Sequence, residues 1–218
     1  GSDKDSEGLQ GTYRGVYDYN TFTTDEAIIP VRGGDWYDGG FWADLYTHNW
    51  AEDSKPLYDT WKYLYKVIVF SNDALTTIDK HKQLLTDEQY KAYRAEVRAI
   101  RALYYYYLMD MFGNIPLVTT AGESTENVEQ ASRPEVYRFI VKELQEVTPL
   151  LPTGHSNLLG KNYGRVTRSV ANFLLAKLML NGEVYSDADW TDNQQPNGKQ
   201  TYFTINGQQI NIWQACKY

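Results

Sequence analysis

The sequence predicts a mainly α protein, built of antiparallel helix pairs and interrupted by long irregular loops. Three observations carry that reading. Apolar residues recur at three- and four-residue steps through four long segments, at about 54–79, 86–112, 133–150 and 167–184. Two of these segments open on a capping box, Thr86 with Gln89 and Ser132 with Glu135. No stretch alternates helix and strand as a βαβ unit would.

Taken in order, residues 7–20 carry the pattern of a first short helix. Residues 21–53 read mostly as loop, with Thr24, Asp25 and Pro30 as punctuation and glycine pairs at 33–34 and 39–40. The 54–79 helix places Leu57, Trp61, Leu64, Tyr65, Ile68 and Leu75 at helical spacing. The helix opened by Thr86 is the strongest. Val97, Ile100, Leu103, Tyr104, Tyr107, Leu108 and Met111 form its apolar stripe, with Leu103, Tyr107 and Met111 expected to be buried. Gly113 ends it, and Asn114–Val118 is expected to be a buried extended connector because Pro116 forbids further helix. Pro134 sits in the tolerant first turn of the next helix, and Pro152 stops it. A fourth helix, rich in Ala and Leu, runs from Thr167 to Val184. The starts at 132 and 167 lie 35 residues apart, near the period of helix-pair repeats. Tyr202–Ile210 can close a hairpin at Asn206-Gly207, and Ile212, Ala215 and Cys216 read as the beginning of an amphipathic helix that the chain does not complete. A fragment of something longer is therefore expected. The opening GSDKDSEG resembles the remnant of an expression tag.

Composition narrows the function classes. The chain has 218 residues, 42% of them hydrophobic and 22% charged, and a net charge of -7, which argues against nucleic acid or anionic membrane surfaces as partners. Aromatic content is 15%, with 19 tyrosines, a composition suited to half-wet surfaces and polar ligands. The single Cys216 forms no internal disulfide and no Cys-based metal cluster. His48, His81 and His155 show no metal-ligand spacing. Ser186–Asn193 brushes against a calcium loop but lacks its glycine and distal glutamate. No metal or cofactor is expected, and no apolar run reaches the ~18 residues of a membrane span.

The segment from Arg98 to Val118 is the most individual in the chain. Arg98 and Arg101, near Glu96 and Asp110 in sequence, are expected to tie the helix to adjacent turns; anion binding is the alternative. This segment resembles the signature of the SusD/RagB family, surface lipoproteins of glycan-uptake systems in Bacteroidetes. The matching residues are Arg98, Ala99, Arg101, Ala102, Tyr104 to Tyr107, Phe112, Gly113, Pro116, Leu117 and Val118. Three further stretches resemble the family in the same order. They are the loop at Thr23–Trp36, the helix at Ser132–Pro152, and the helix at Gly164–Ser186 with Gly164, Arg165, Ala176, Leu180 and Tyr185. The resemblance implies a SusD-like fold of tetratricopeptide-like helix pairs, with residues 1–218 the N-terminal portion of one such domain and its C-terminal half absent. It also implies capture of an oligosaccharide or polysaccharide without cleavage, a SusC-type TonB-dependent transporter as partner, and lipid anchoring at the outer-membrane surface.

The resemblance also directs attention to the loop Arg32–Leu45. In family members the loop after the first helix often contributes to the glycan site. Trp36, Tyr37 and Trp42 are the ring candidates, Asp35 and Asp38 the polar ones, and Asp18, Asn20 and Asp44 flank them. An exposed ring can cover the C–H face of a sugar while carboxylates bond its hydroxyls. Phe41, Trp42 and Leu45 can instead pack the loop onto the scaffold. The tryptophans of the starch-type pattern are absent earlier in the loop, where Ile29 and Val31 stand. Asp35, Asp38 and Asp44 could be imagined as a glycosidase pair, but a Gly-rich loop gives such a pair poor rigidity. Two other function classes are a helical-repeat scaffold for protein partners and, less favoured, a glycan-active hydrolase.

Overall fold

The helix starts after Thr86 and Ser132 lie where local capping chemistry puts them. In a computed structural model, residues 15–122, 128–194, 196, 202–205 and 207–217 are described. The elements are α1 (Tyr17–Phe22), α2 (Phe41–Thr47), α3 (Lys55–Lys80), α4 (Asp87–Phe112), β1 (Ile115–Pro116), β2 (Gln130–Ala131), α5 (Arg133–Val147), α6 (Arg168–Leu180), α7 (Gly182–Tyr185), β3 (Tyr202–Ile205), β4 (Gln208–Asn211) and α8 (Ile212–Ala215). Ahead of α4, the Gln89 N–H donates to Thr86 Oγ1 (3.1 Å) and the Thr86 N–H to Gln89 Oε1 (3.0 Å). Ahead of α5, the Glu135 carboxylate accepts from the Ser132 N–H (2.8 Å). No described helix is long and apolar enough to cross a membrane. The chain divides into two compact units, Gly1–Lys66 and Val67–Tyr218, with the boundary inside α3.

In the first unit, α1 follows a π turn at residues 15–16. Residues 7–14 of the expected first helix lie outside the described residues. The structure adds α2 where the sequence reads as loop. Gly40 takes a left-handed backbone (φ 94°), breaking the chain so that a new helix can start at Phe41. Seven residues are too few for periodicity to announce. Tyr19 packs its ring edge on Phe41 at 6.2 Å, and Phe22 on Trp42 at 5.4 Å, so α1 and α2 are joined by aromatic contacts.

The second unit is a run of antiparallel neighbours. Asp79 of α3 meets Tyr90 and Arg94 of α4, while Asn72 meets Arg101. On α4 and α5, Arg98 meets Glu146, Arg101 meets Glu143, and Tyr105 meets Phe139. Between α5 and α6, Tyr137 Oη donates to the Leu178 carbonyl (3.2 Å). The buried face of α4 differs from the one expected. Leu103, Tyr107 and Met111 are half-buried, whereas Ala95, Ala99, Ala102, Tyr105, Tyr106, Leu108 and Met109 form the buried set. The buried side is therefore rotated from the expected stripe, taking in three alanines together with Tyr105, Tyr106 and Met109.

The partners of the two arginines also differ from expectation. Arg98 and Arg101 converge on Glu143 of α5: Arg98 Nε donates at 3.1 Å, Arg98 Nη2 at 2.6 Å and Arg101 Nη2 at 2.9 Å. Glu96 instead pairs with Arg165 (2.6 Å), and Asp110 accepts from Tyr185 Oη (2.6 Å). At about 100° per residue, Glu96 points away from Arg98, and Asp110 from Arg101, across the same helix. Arg101 Nη1 donates to the Thr119 carbonyl (2.8 Å), and Tyr105 Oη both donates to Val118 O (2.6 Å) and accepts from Val118 N (2.9 Å). The extended chain after α4 is thereby pinned, with Ile115 buried and Ile115–Pro116 paired antiparallel to Gln130–Ala131.

The fourth expected helix is broken in two. α6 ends at Asn181 (φ -98°, ψ 14°) and α7 resumes at Gly182. A Cβ on Gly182 would lie 2.5 Å from Ile212 Cδ1 and 2.9 Å from Tyr137 Oη, so α5, α7 and α8 meet there with no room for a side chain. β3 and β4 form the expected antiparallel hairpin, paired from Tyr202↔Asn211 to Ile205↔Gln208; Asn206 at its turn lies outside the described residues. The Gln214 N–H donates to Asn211 Oδ1 (2.9 Å) to cap α8.

Candidate functional site

The Gly-rich loop of the first unit is a fixed structure. Arg32 and Asp35 exchange backbone hydrogen bonds, Arg32 N to Asp35 O (3.2 Å) and Asp35 N to Arg32 O (3.0 Å), across a tight turn. Positive φ then recurs at Trp36 (63°), Asp38 (38°), Gly39 (68°) and Gly40 (94°), with Tyr37 between them right-handed (φ -73°, ψ -46°) and its carbonyl accepting from Gly40 N (2.6 Å). Positive φ at a residue as bulky as tryptophan is an outlier that persists only where its surroundings hold it, and such outliers gather at functional sites. Its effect here is to turn the Trp36 and Tyr37 rings outward, 51% and 60% exposed.

Trp42 lies beneath them. It is 4% exposed and its indole N–H donates to Asp38 Oδ2 at 2.6 Å. The Trp36 ring stands edge-on to the Trp42 ring, with centroids 6.0 Å apart and planes at 66°. Trp42 is therefore an anchor under the loop and presents no face to solvent. Asp18 is likewise buried, on the inner side of α1, while Asn20 and Asp35 are exposed and Asp44 is half-buried at the start of α2.

A further set of rings continues past α2 and was not singled out from the sequence. His48 caps α2 in a left-handed conformation (φ 57°), and its Nε2 lies 2.8 Å from the Thr23 carbonyl. A carbonyl only accepts, so Nε2 carries a proton and donates to it. Trp50 packs on the imidazole at 5.4 Å and is 45% exposed, and Tyr46 is 47% exposed. The signal was present in the sequence as Tyr46-Thr-His-Asn-Trp50, where the ring density of the loop carries on. Chemically, exposed rings beside carboxylate acceptors suit a ligand with apolar C–H faces and hydroxyl edges.

In the second unit, the turn after α7 carries Trp190, the most exposed tryptophan among the described residues at 78%. The Asp187, Asp189 and Asp192 carboxylates accept from the backbone N–H groups of Asp189, Thr191 and Gln194, so they close successive turns. Among the described residues no group of three or more His, Cys, Asp or Glu could hold a metal ion.

A family model described as "Starch-binding associating with outer membrane" matches residues 7–180. The starch-binding protein SusD of Bacteroides thetaiotaomicron is 25% identical over 184 residues, which cover 84% of this chain and 31% of that protein. A SusD-like protein of Bacteroides ovatus is 25% identical over 173 residues, covering 77% and 30%. The chain thus spans about a third of the length of these curated relatives. Among solved structures, surface glycan-binding protein A from Bacteroides uniformis matches with a TM-score of 0.66 at 26% identity, over 80% of this chain and 38% of that one. A laminarin-binding SusD-like protein matches at 0.57 and 25% identity, over 78% and 39%.

Proposed function

This chain belongs to the SusD-like family of starch-binding proteins that associate with the outer membrane, and from that premise we propose that the protein carrying it captures a glycan at the cell surface. In this reading it holds an oligosaccharide or polysaccharide without cleaving it and passes it to a SusC-type TonB-dependent transporter. A lipid anchor keeps it at the outer membrane. The observation that carries the proposal is the outward Trp36–Tyr37 pair, with Trp36 held at positive φ against buried Trp42. Rings exposed at a backbone cost are placed for contact. Asp35 beside them supplies a hydroxyl acceptor, and Tyr46, His48 and Trp50 extend the ring surface of the same unit. Ile29 and Val31, in place of the starch-type tryptophans, favour a glycan other than starch.

The test is the Trp36→Ala, Tyr37→Ala double variant of the full-length protein. A glycan array with the wild type identifies the ligand, and titration calorimetry then compares affinities. The expected result is a loss of roughly 30-fold or more, as for exposed aromatic hot spots, at a melting temperature unchanged within the ~0.5 kcal/mol usual for surface substitutions. A lowered melting temperature with unchanged affinity would make the rings packing residues. Reducing-sugar release by the wild type would replace capture by hydrolysis, and native outer-membrane purification without a TonB-dependent transporter would remove the partner.

A further inference from the structure

Asp38 is a candidate for touching the ligand, and one oxygen of its carboxylate is engaged within the loop. Oδ2 accepts the indole N–H of Trp42 at 2.6 Å, a short charge-assisted bond. Trp42 is buried, and its N–H is a donor that cannot go without a partner at low cost. Asp38 itself sits in the left-handed region, on the exposed side of the kink made by Gly39 and Gly40, while Trp42 lies in the first turn of α2. The bond therefore spans the junction between the loop and the helix. At the other end of the loop, the reciprocal Arg32–Asp35 backbone bonds hold the chain. Between these two ties lie only Trp36 and Tyr37. The buried indole that Asp38 locks is also the surface on which the Trp36 ring rests, 6.0 Å away.

We infer that Asp38 is a positioning residue, whose carboxylate fixes Trp42 and thereby the turn, left-handed at Trp36 and Asp38, that holds Trp36 and Tyr37 toward solvent. As a glycan determinant this rests on the capture reading above; as a structural tie it does not. It acts through Trp42, so the acceptor matters and the charge is secondary. Asn keeps an acceptor oxygen and tolerates positive φ, whereas Ala offers neither. Trp42→Phe keeps a buried ring and deletes the donor. The two deletions remove one interaction from opposite ends, so they are coupled rather than additive.

The experiment uses the full-length protein, with the indole N–H resonances of Trp36 and Trp42 assigned by Trp→Phe replacement. Affinity is measured for the glycan that the wild type selects from an array. Asp38→Ala is expected to move both indole resonances, with faster exchange of the Trp42 N–H, and to weaken binding by about tenfold or more. Trp42→Phe gives a similar loss, the double variant is no worse than either single one, and Asp38→Asn restores most of the affinity. Unchanged Trp36 and Trp42 resonances in Asp38→Ala would overturn the inference. So would an Asp38→Asn variant that keeps both resonances but binds as weakly as Asp38→Ala, because Asp38 would then be a direct ligand contact. If the resonances move and the wild type binds no glycan, the positioning role stands and the capture reading falls.

Discussion

Removing the carboxylate of Glu143 is the most demanding test of the scaffold. Glu143 is nearly buried and accepts three hydrogen bonds, two from Arg98 and one from Arg101, which is itself buried. Taking one partner from a buried ion pair costs about 3–5 kcal/mol, because the remaining charge stays buried. Arg98 keeps Glu146, and Arg101 keeps Asn72 and Thr119, so Glu143→Ala is expected near the lower end, about 3 kcal/mol. At about 2–4 °C per kcal/mol for a unit of this size, the melting temperature falls by about 6–12 °C. The assay is thermal unfolding followed by far-ultraviolet circular dichroism at pH 7 and in acid. Burial opposes ionisation of Glu143, but the hydrogen bonds from Arg98 and Arg101 outweigh it and hold the carboxyl below its ordinary value of 4.5. A depressed carboxyl stabilises the fold above its unfolded value and loses that contribution as pH falls through the folded one. The gap between wild type and Glu143→Ala is therefore full above about pH 4.5 and narrows below it. A gap under about 1 kcal/mol at pH 7, or one that stays constant into acid, would refute the account.

Other expectations concern packing and capping. Leu103→Ala, at a half-buried position, should cost about 1–2 kcal/mol, below the range of a fully buried leucine, whereas Ala102→Leu at a fully buried position should cost about 1–3 kcal/mol or more by overpacking; denaturant titration that reversed this order would restore the sequence-derived stripe. Gly182→Ala should destabilise by about 1–3 kcal/mol, and adding Ile212→Val, which removes the Cδ1 lying 2.5 Å from the new Cβ, should recover part of the loss in the same titration. Thr86→Ala should cost about 1 kcal/mol and speed amide exchange in the first turn of α4, since it deletes one half of a reciprocal cap.

Helix starts were legible because capping is local. Thr86 with Gln89 and Ser132 with Glu135 announce themselves within four residues, and each helix begins one residue later. The buried side of α4 was only partly legible: alanines score as helix formers rather than core, and a run of four adjacent tyrosines does not say which rings turn inward. The partners of Arg98 and Arg101 were hidden for a related reason: Glu143 lies more than forty residues away, while nearer acids sit on the wrong sides of α4. The interruption falls on Asn181-Gly182, a dipeptide that marks turns locally, while the need for a glycine there is tertiary, because Ile212 and Tyr137 leave no room for a side chain. In the loop, sequence singled out Trp36, Tyr37 and Trp42 but could not separate shown rings from the anchor, because that division turns on backbone angles and one indole hydrogen bond.

The residues that identify the family and those proposed to select the ligand face different constraints. In the most individual segment, Arg101 through Nη1 and Nη2 and Tyr105 through Oη bond Asn72, Glu143, Val118 and Thr119. Each contact fixes one helix or connector to another, so any carbohydrate specificity can change while these residues stay. Trp36 and Tyr37 face solvent, and nothing in the packed units dictates which ring, or which ligand, they meet. Substitutions in α4 should therefore register as stability at constant affinity, and substitutions of the exposed rings as affinity at constant stability. Asp38 and Trp42 stand at the junction, where one hydrogen bond both completes a buried donor and sets an exposed ring. There the two readouts must move together, and a variant of either residue that shifts only one of them would separate the anchor from the platform.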